Sequence, residues 1–400
     1  MGHTARVTAT HRTPRLTAVL RDEARVTPLE LFFDLVFVLA LTQCTALMAE
    51  EPTWEGLAKA LLILTLLWWS WSGYAWLTSV LDPEETSVRL VIFAAMAAFL
   101  VVALCVPEAF DGSAVLFAGA YGAVRAAHIG LFVLASRDDP GLRASVIALG
   151  MSTAVSVGLL AAASLFDGTA QGAIWAVAIA LDLGGPYFFG IDGWRIVPGH
   201  FAERFGLIIL IALGESVVAI GAGVTSEVDA GIVAAAVLGT VVAAAIWWLY
   251  FDVVALVAER RLSNAAPGRE QNAIGRDSYG YLHLPMVAGI VLIALGMKKT
   301  LGHVGDPLKD VPAVAMLGGA SLYLLAHVAF RLRNIHTLNR QRLVVAVLLV
   351  ALIPLALEIA ALATLAVLAG VLAALIAYEA LRFSEARARL RYRLLHDVHD

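Results

Sequence analysis

The chain has 400 residues, of which 60% are hydrophobic and 15% are charged, and its mean hydropathy is +0.82. These values exclude an ordinary soluble domain and predict an integral membrane protein. The formal net charge of −4 adds little, because acidic and basic residues are segregated along the chain rather than mixed.

Apolar runs long enough to cross a bilayer as helices recur along the sequence, on the rule that ~20 apolar residues suffice. Each run is continuous and lacks the polar alternation of a barrel strand, so the sequence predicts an all-α polytopic membrane protein. About 12 transmembrane helices are expected, at roughly 29–48, 55–80, 88–106, 113–135, 143–165, 171–191, 203–223, 229–258, 279–298, 312–331, 341–358 and 361–381.

Arginine is distributed unequally between the two sides of these spans. With the amino terminus placed inside, the inner segments contain every arginine except Arg125, which falls within the fourth span. The lysines lie on the other side, at Lys59, Lys298, Lys299 and Lys309. Because cytoplasmic loops accumulate positive charge, we expect a multi-pass protein of the bacterial cytoplasmic (inner) membrane with both termini cytoplasmic. The polar first 28 residues lack the apolar centre of a signal peptide.

Matching features recur in two halves of the chain. A Trp-Trp pair stands late in the second and eighth spans, and Arg143 follows His128 at the spacing that separates Arg342 from His327. Such matches predict two six-helix repeats of the same orientation, as in parallel-repeat transporters. The expected division is a basic cytoplasmic tail at 1–28, repeats at 29–191 and 192–381, and a second basic tail at 382–400.

Ionisable side chains within the spans are the candidate functional groups. Each costs ~2.5–3.5 kcal/mol on insertion scales, so it needs a charged partner, a water path or a neutral form. The candidate ligand-binding or ion-path residues are Glu30, Asp34, Gln43, Arg125, His128, Asp182, His200, Glu203, Arg204, Glu215, Asp252, His283 and His327. No catalytic residue, metal site or cofactor is predicted, since HxxxH, CxxC, Walker and GxGxxG patterns are missing from the sequence.

The first span has the most polar residues. Glu30 and Asp34 are one helical turn apart, so both carboxylates lie on one face near the inner end. They form either an acidic entrance for a cation or proton, or, for Glu30, a partner of the helix dipole. Gln43 lies ~20 Å deeper at the helical rise. The two cysteines, Cys44 and Cys105, are expected to be buried thiols, although a bridge between them is conceivable.

The middle spans contain three further features. Arg125 and His128 share a helix face, and Arg125 needs a carboxylate, for which Asp34, Asp182 and Glu215 are the candidates. Asp182 is followed by Gly-Gly-Pro at 184–186, which is expected to break the sixth span, as at many substrate sites. The alternative is a kink that serves packing only.

The seventh span contains the deepest carboxyl group, Glu215, ~18 Å from the start of its helix. It is either a proton-exchanging or cation-binding group, or a protonated acid that hydrogen-bonds a neighbouring helix for ~1–2 kcal/mol at most. Glu203 and Arg204 are adjacent, so they should find partners on different helices. Asp252 and His283 are expected at the same level and could pair.

Three runs resemble the bacterial low-temperature-requirement protein A (LtrA) family: ELFFDLVF at 30–37, HFAERFGL at 200–207 and ALGES at 212–216. The resemblance implies an integral membrane protein linked by name to growth in the cold, with no established activity. It singles out Glu30, Asp34, His200, Glu203, Arg204 and Glu215. Phe33-Asp34 also matches part of the Phe-Ser-Asp opening of six-helix potassium channels, which occur as tandem halves.

The leading hypothesis is a secondary transporter of a small solute or ion whose site lies between the halves. Glu215 and Asp34 would be its protonatable groups, Arg125 would balance charge or meet an anion, and the polar groups should share one hydrated interior. The alternatives are a cation channel, for which no repeated glycine filter is seen, and a lipid-acting enzyme or sensor using His128, His283 or His327. Expected partners are the bilayer, the unknown solute and a possible second copy, with no nucleic acid.

Overall fold

A computed structural model describes residues 25–188, 190, 193–224 and 227–384, and every regular element in this part of the chain is helical. The helices are α1 Pro28–Glu50, α2 Trp54–Val80, α3 Thr86–Cys105, α4 Ala114–Ala135, α5 Pro140–Ala163, α6 Gly168–Phe188, α7 Pro198–Gly223, α8 Ala230–Phe251, α9 Val254–Ser263, α10 Arg269–Ile274, α11 His283–Gly302, α12 Asp310–Ala313, α13 Gly319–Ile335, α14 Arg340–Ala351, α15 Ile353–Ala356 and α16 Ala361–Arg382. Most of both predicted basic tails lies outside the described residues.

Ten helical segments of the described chain are long and apolar enough to cross a membrane. Ten of the predicted spans each overlap one of them. The other two, 171–191 and 341–358, do not. α6 has 21 residues but includes Gln171 and Asp182, and the second region is divided into α14 and α15, of 12 and 4 residues. The membrane character is therefore confirmed, and the count of twelve stays a prediction.

The expected break of the sixth span at 184–186 is wrong, because α6 continues through Pro186 to Phe188. A proline inside a helix removes one backbone hydrogen bond. Nearby carbonyls find side-chain donors instead: Tyr281 donates to the Leu183 carbonyl, and Arg276 Nη1 lies 3.5 Å from the Pro186 carbonyl. The helix tolerates the proline because its last turn packs against protein that supplies these donors.

The region 259–278, which lies between the predicted spans 229–258 and 279–298, is mostly helical. α9 covers its start, and α10 runs without interruption into a π-helical turn, Gly275–Tyr281, which leads to α11. A second π-helical turn, Val314–Gly318, joins α12 to α13. π-Helical turns occur mostly as single turns inside α-helices and often at functional sites.

Helices α1 and α7 lie side by side and run parallel. Three contacts join them at nearly constant sequence separations of 170, 170 and 173, pairing Glu30 with His200, Asp34 with Arg204, and Thr42 with Glu215. Around this pair, α1 also packs on α2 and α3, and α7 packs on α8 and α11. The centre of the bundle is aromatic, with Trp71 edge-on to Phe205 at a centroid distance of 5.1 Å.

A close helix contact forms where α11 crosses α13. A Cβ atom added to Gly289 would lie 2.6 Å from the Gly319 carbonyl oxygen, and one added to Gly319 would lie 2.8 Å from the Gly289 carbonyl oxygen. Small residues let helix backbones approach in this way.

Candidate functional site

A buried ionic network joins α1, α2 and α7. Glu30 Oε1 lies 2.9 Å from both His200 Nε2 and Arg204 Nη1. Arg204 Nη2 and Trp71 Nε1 both donate to Asp34 Oδ1 at 2.8 Å. The side chains of the four ionisable residues are at most 1% exposed. Four predicted candidates therefore meet in one cluster, which we call the α1–α7 network.

Local sequence fixes the position of Glu30. Thr27 caps α1 in a capping box, in which the Glu30 side chain accepts from the Thr27 backbone N–H at 2.8 Å and Pro28 occupies the first turn. Glu30 therefore serves as a helix-end partner and as a member of the network at once. The two interpretations of Glu30 are not alternatives.

The charges of the network are unequal. Glu30 and Asp34 supply two carboxylates, and Arg204 supplies one guanidinium that is always protonated. Asp34 Oδ2 and Arg204 Nε have no hydrogen-bond partner in the described chain. The cavity beside Arg204 measures about 10 Å³, at the lower limit for one water molecule. A separate apolar groove of about 430 Å³ between α1 and α7 reaches Asp34.

Glu215 lies further along the same helix pair. Thr42 Oγ1 donates to Glu215 Oε2 at 2.5 Å, and Glu215 is 2% exposed. We call the line of groups formed by the α1–α7 network, Thr42 and Glu215 the α1–α7 seam. Gln43 is half-buried beside it, and Glu203 is exposed and accepts from the Val26 N–H at 3.3 Å. Arg204 thus finds its partners on another helix, whereas Glu203 faces outward.

Arg125 pairs with Asp182, one of its three candidate partners, at 3.1 Å. Asp182 is completely buried and also accepts from Thr153 Oγ1 at 2.7 Å and from Tyr121 OH at 2.9 Å. This pair ties α4, α5 and α6 together. The carboxylate is fully satisfied by three donors, as a buried charge requires.

Arg125 and His128 also line a cavity of about 60 Å³ enclosed by α2, α4, α5 and the end of α6. We call it the α2–α6 cavity. Trp69 lines it from α2, and Arg276 lines it from the π-helical turn Gly275–Tyr281. Neither residue is singled out by the sequence pattern as a site residue. The available signal is only an arginine that follows Gly275 between two predicted spans.

Arg276 is held by a small charged group of its own. Its Nε donates to Asp277 Oδ1 at 2.7 Å, and its guanidinium lies 4.0 Å from the centre of the Tyr187 ring. Asp277 also binds Arg333, whose Nη2 lies 2.9 Å from Oδ2. Asp277 therefore keeps a cationic partner even without Arg276.

A further cluster lies between α13, α14 and α16. Arg342 binds Glu379 through two contacts of 3.0 Å, and its Nη1 lies 3.0 Å from His327 Nδ1. A cavity of about 310 Å³ beside it is lined by Arg342, Glu379, His327 and Asp252. Glu379 was missed because it stands at the polar end of the last span.

The expected pairing of Asp252 with His283 is wrong. Both ring nitrogens of His283 are occupied, Nε2 by Tyr250 OH at 2.8 Å and Nδ1 by the Ser278 carbonyl at 2.9 Å. Tyr250 precedes Asp252 by two residues, so its ring reaches the histidine from the last turn of α8. Asp252 lines the cavity next to Arg342 instead.

The structure does not bring Asp34, Arg125 and Glu215 onto one cavity. Asp34 and Glu215 belong to the α1–α7 seam, and Arg125 belongs to the α2–α6 cavity. Cys44 and Cys105 are free and buried. Within the described ranges, no three His, Cys, Asp or Glu side chains are grouped closely enough to hold a metal ion.

Comparisons with known proteins give one consistent result. Residues 25–377 match the family described as "Bacterial low temperature requirement A protein (LtrA)". The chain is also 31% identical over 318 residues to "Uncharacterized protein RA0937" of Rhizobium meliloti (strain 1021), covering 76% of each chain. No solved structure matches. The chain therefore belongs to the LtrA family of bacterial membrane proteins.

Proposed function

We propose that this protein is a secondary transporter of a small solute or ion, with its protonatable groups along the α1–α7 seam. The observation that supports this most directly is the unequal charge of the buried α1–α7 network. With His200 neutral, two carboxylates face one guanidinium, and the cluster keeps one uncompensated negative charge. A proton on His200 or on a carboxylate, or a bound cation, removes that charge.

An uncompensated buried charge is costly, so the network favours binding one proton or cation at a time. That is the requirement for a coupling site, in which occupancy must change during each transport cycle. Asp34 is the member best placed to exchange, because one of its oxygens has no hydrogen-bond partner in the described residues and the α1–α7 groove reaches it.

We further propose that the chain is built from two six-helix repeats of one orientation, at 29–191 and 192–381, within twelve spans. The pattern of neighbours supports this. In the first half, contacts join α1 with α2 and α3, α3 with α4, α4 with α5, and α5 with α6. The second half has the same order with α7, α8, α11, α13, α14 and α16.

The parallel course of α1 and α7 supports the same proposal, since an odd number of spans must lie between two parallel transmembrane helices, and α2 to α6 are five. The seam then lies between the first helices of the two repeats, where relative movement of the repeats would break and re-form its contacts. The arginine distribution favours the cytoplasmic membrane as the location, with both termini inside.

The spacing of the seam supports stepwise proton movement. Glu30 and Asp34 are ~6 Å apart along the helix axis, and Asp34 and Thr42, the partner of Glu215, are ~12 Å apart. The first interval is short enough for exchange within the network. The second requires movement of the helices or water molecules entering between them.

The test is solute-dependent proton movement into proteoliposomes that contain a pH-sensitive dye, with panels of small anions, cations and neutral metabolites. Asp34→Asn keeps an acceptor for Trp71 and Arg204 but removes the charge, and it should abolish coupled proton movement. The matched control is Glu203→Gln, which neutralises an exposed carboxylate adjacent to Arg204 and should leave movement unchanged.

Two results would contradict the proposal. One is the same proton movement in Asp34→Asn as in the unmodified protein, with both proteins monodisperse after purification. The other is ion flux far above transporter turnover and independent of a proton gradient, which would favour the channel instead.

A further inference from the structure

Buried nitrogen atoms without hydrogen-bond partners of good geometry lie beside the α2–α6 cavity. Trp69 Nε1 and Arg125 Nε lack a partner in the described chain, and His128 meets the Gly73 backbone outside good hydrogen-bond geometry. Arg125 and His128 are 1% exposed, and Trp69 is 8% exposed. Buried polar atoms are bonded in roughly 90% or more of cases. Three such side chains on one cavity therefore indicate a candidate ligand site.

Gly73 leaves room for the side chains of Arg125 and His128 beside the α2–α6 cavity. A Cβ atom at Gly73 would lie 2.9 Å from His128 Nε2 and 3.1 Å from Arg125 Nη1. Gly185 also lines the cavity, and a Cβ there would lie 3.0 Å from Ser152 Oγ on α5. Any larger residue at Gly73 would press on the two side chains whose nitrogen atoms are unsatisfied.

The charges around the cavity favour an anion. The described residues that line it include Arg125 and Arg276 and no carboxylate. The carboxylates bind the arginines from elsewhere: Asp182 binds Arg125 at Nη2, and Asp277 binds both Arg276 and Arg333. The cavity therefore faces the cationic members of these pairs, while the carboxylates bind them from outside its lining.

We propose that the α2–α6 cavity binds a small monovalent anion of the size of chloride, nitrate or formate. The volume of about 60 Å³ is several times the ~10–15 Å³ that one water molecule needs, so it has room for a small anion. Arginine N–H, indole N–H and imidazole N–H groups would donate to the anion. As a substrate site this cavity depends on the proposed transport function, whereas anion binding itself is measured without transport.

A lipid phosphate shares this anionic chemistry, but its glycerol and acyl chains would have to lie outside a cavity of about 60 Å³. The free anion is therefore the ligand the structure favours. The two sources are separated by testing soluble salts in detergent against phosphatidylglycerol in nanodiscs.

The test is the thermal unfolding midpoint of the purified full chain in detergent. Sodium chloride, nitrate or formate replaces sodium gluconate at constant ionic strength. The midpoint should rise saturably with the small anion, because a ligand that binds only the folded state stabilises it. Arg276→Gln and Trp69→Phe should each raise the apparent Kd, by about 10-fold for the arginine, since a hydrogen bond to a charged group contributes at least this factor.

Arg333→Gln is the matched control. Arg333 carries the same charge as Arg276 and binds the same Asp277, but it does not line the cavity. The apparent Kd should therefore change by no more than about 2-fold. If Arg276→Gln does not purify as a monodisperse protein, Trp69→Phe decides the question. This variant removes the indole N–H but keeps an aromatic ring to stack on Tyr281.

The proposal is overturned if the midpoint rises equally with all salts and without saturation, or if both variants bind as the unmodified protein does. Stabilisation by phosphatidylglycerol nanodiscs alone would also overturn it. Saturable anion binding in a protein that moves no protons would uphold this site and reject the transporter. Coupled transport without anion binding would do the reverse.

Discussion

Replacing Arg125 with methionine should destabilise the protein strongly, because Arg125 is the cationic partner of a completely buried carboxylate. Asp182 would keep only the hydroxyl donors of Thr153 and Tyr121. Removing one partner of a buried ion pair typically costs ~3–5 kcal/mol. Asp182→Asn should cost a similar amount, because it leaves the buried Arg125 charge without its carboxylate.

The double variant separates this reasoning from simple loss of packing. Arg125→Met with Asp182→Asn buries no uncompensated charge, so it should be no less stable than either single variant. This implies a coupling free energy of ~3–5 kcal/mol in the double-mutant cycle. Free energies of unfolding can be measured by titration with a denaturing detergent from mixed micelles.

An exposed pair provides the control. Arg195 lies 3.6 Å from Asp139, and their side chains are 52% and 31% exposed. Arg195→Met should cost less than ~1 kcal/mol, because solvent screens the pair. The reasoning is refuted if the costs of Arg125→Met and Asp182→Asn simply add in the double variant, or if Arg125→Met costs no more than Arg195→Met.

Two further predictions concern the packing of the bundle. Gly289→Ala should destabilise the protein by ~1–3 kcal/mol through overpacking, whereas Gly370→Ala, with open space around it, should be neutral or stabilising by up to ~1 kcal/mol; equal unfolding free energies for the two variants would contradict this. Cys44 and Cys105 are buried and should react with a maleimide only after unfolding, as followed by mass spectrometry; rapid labelling of Cys44 in the folded protein would show that α1 opens.

Much of the architecture could be predicted from the sequence. Hydropathy located every helix that meets the length and composition of a membrane span, because burial in lipid imposes a continuous apolar run. Motif resemblance identified the family, which the match over residues 25–377 confirms. The adjacency of Glu203 and Arg204 predicts that they lie on different faces of α7, but it does not predict that Glu203 is exposed instead of meeting another helix.

The neighbours of each polar group could not be predicted as well. Sequence spacing gives the depth and face of Asp34, but only the parallel packing of α1 and α7 brings it to Arg204. Arg276 was missed for a related reason. The segment around it is too polar to resemble a membrane helix, and its charges become compatible with burial only through Asp277, Arg333 and Tyr187, which come from three parts of the chain.

The π-helical turn at Gly275–Tyr281 makes the chain intolerant of length changes at one place. Such a turn accommodates one residue more than an α-helical turn does, and each residue of an α-helix rotates the chain by about 100°. Deleting one residue would restore ordinary helical bonding but swing Arg276 away from its cavity by more than a quarter of a revolution. Evolution can therefore exchange side chains in this stretch more easily than it can shorten it, and alignments of relatives should show substitutions here without gaps.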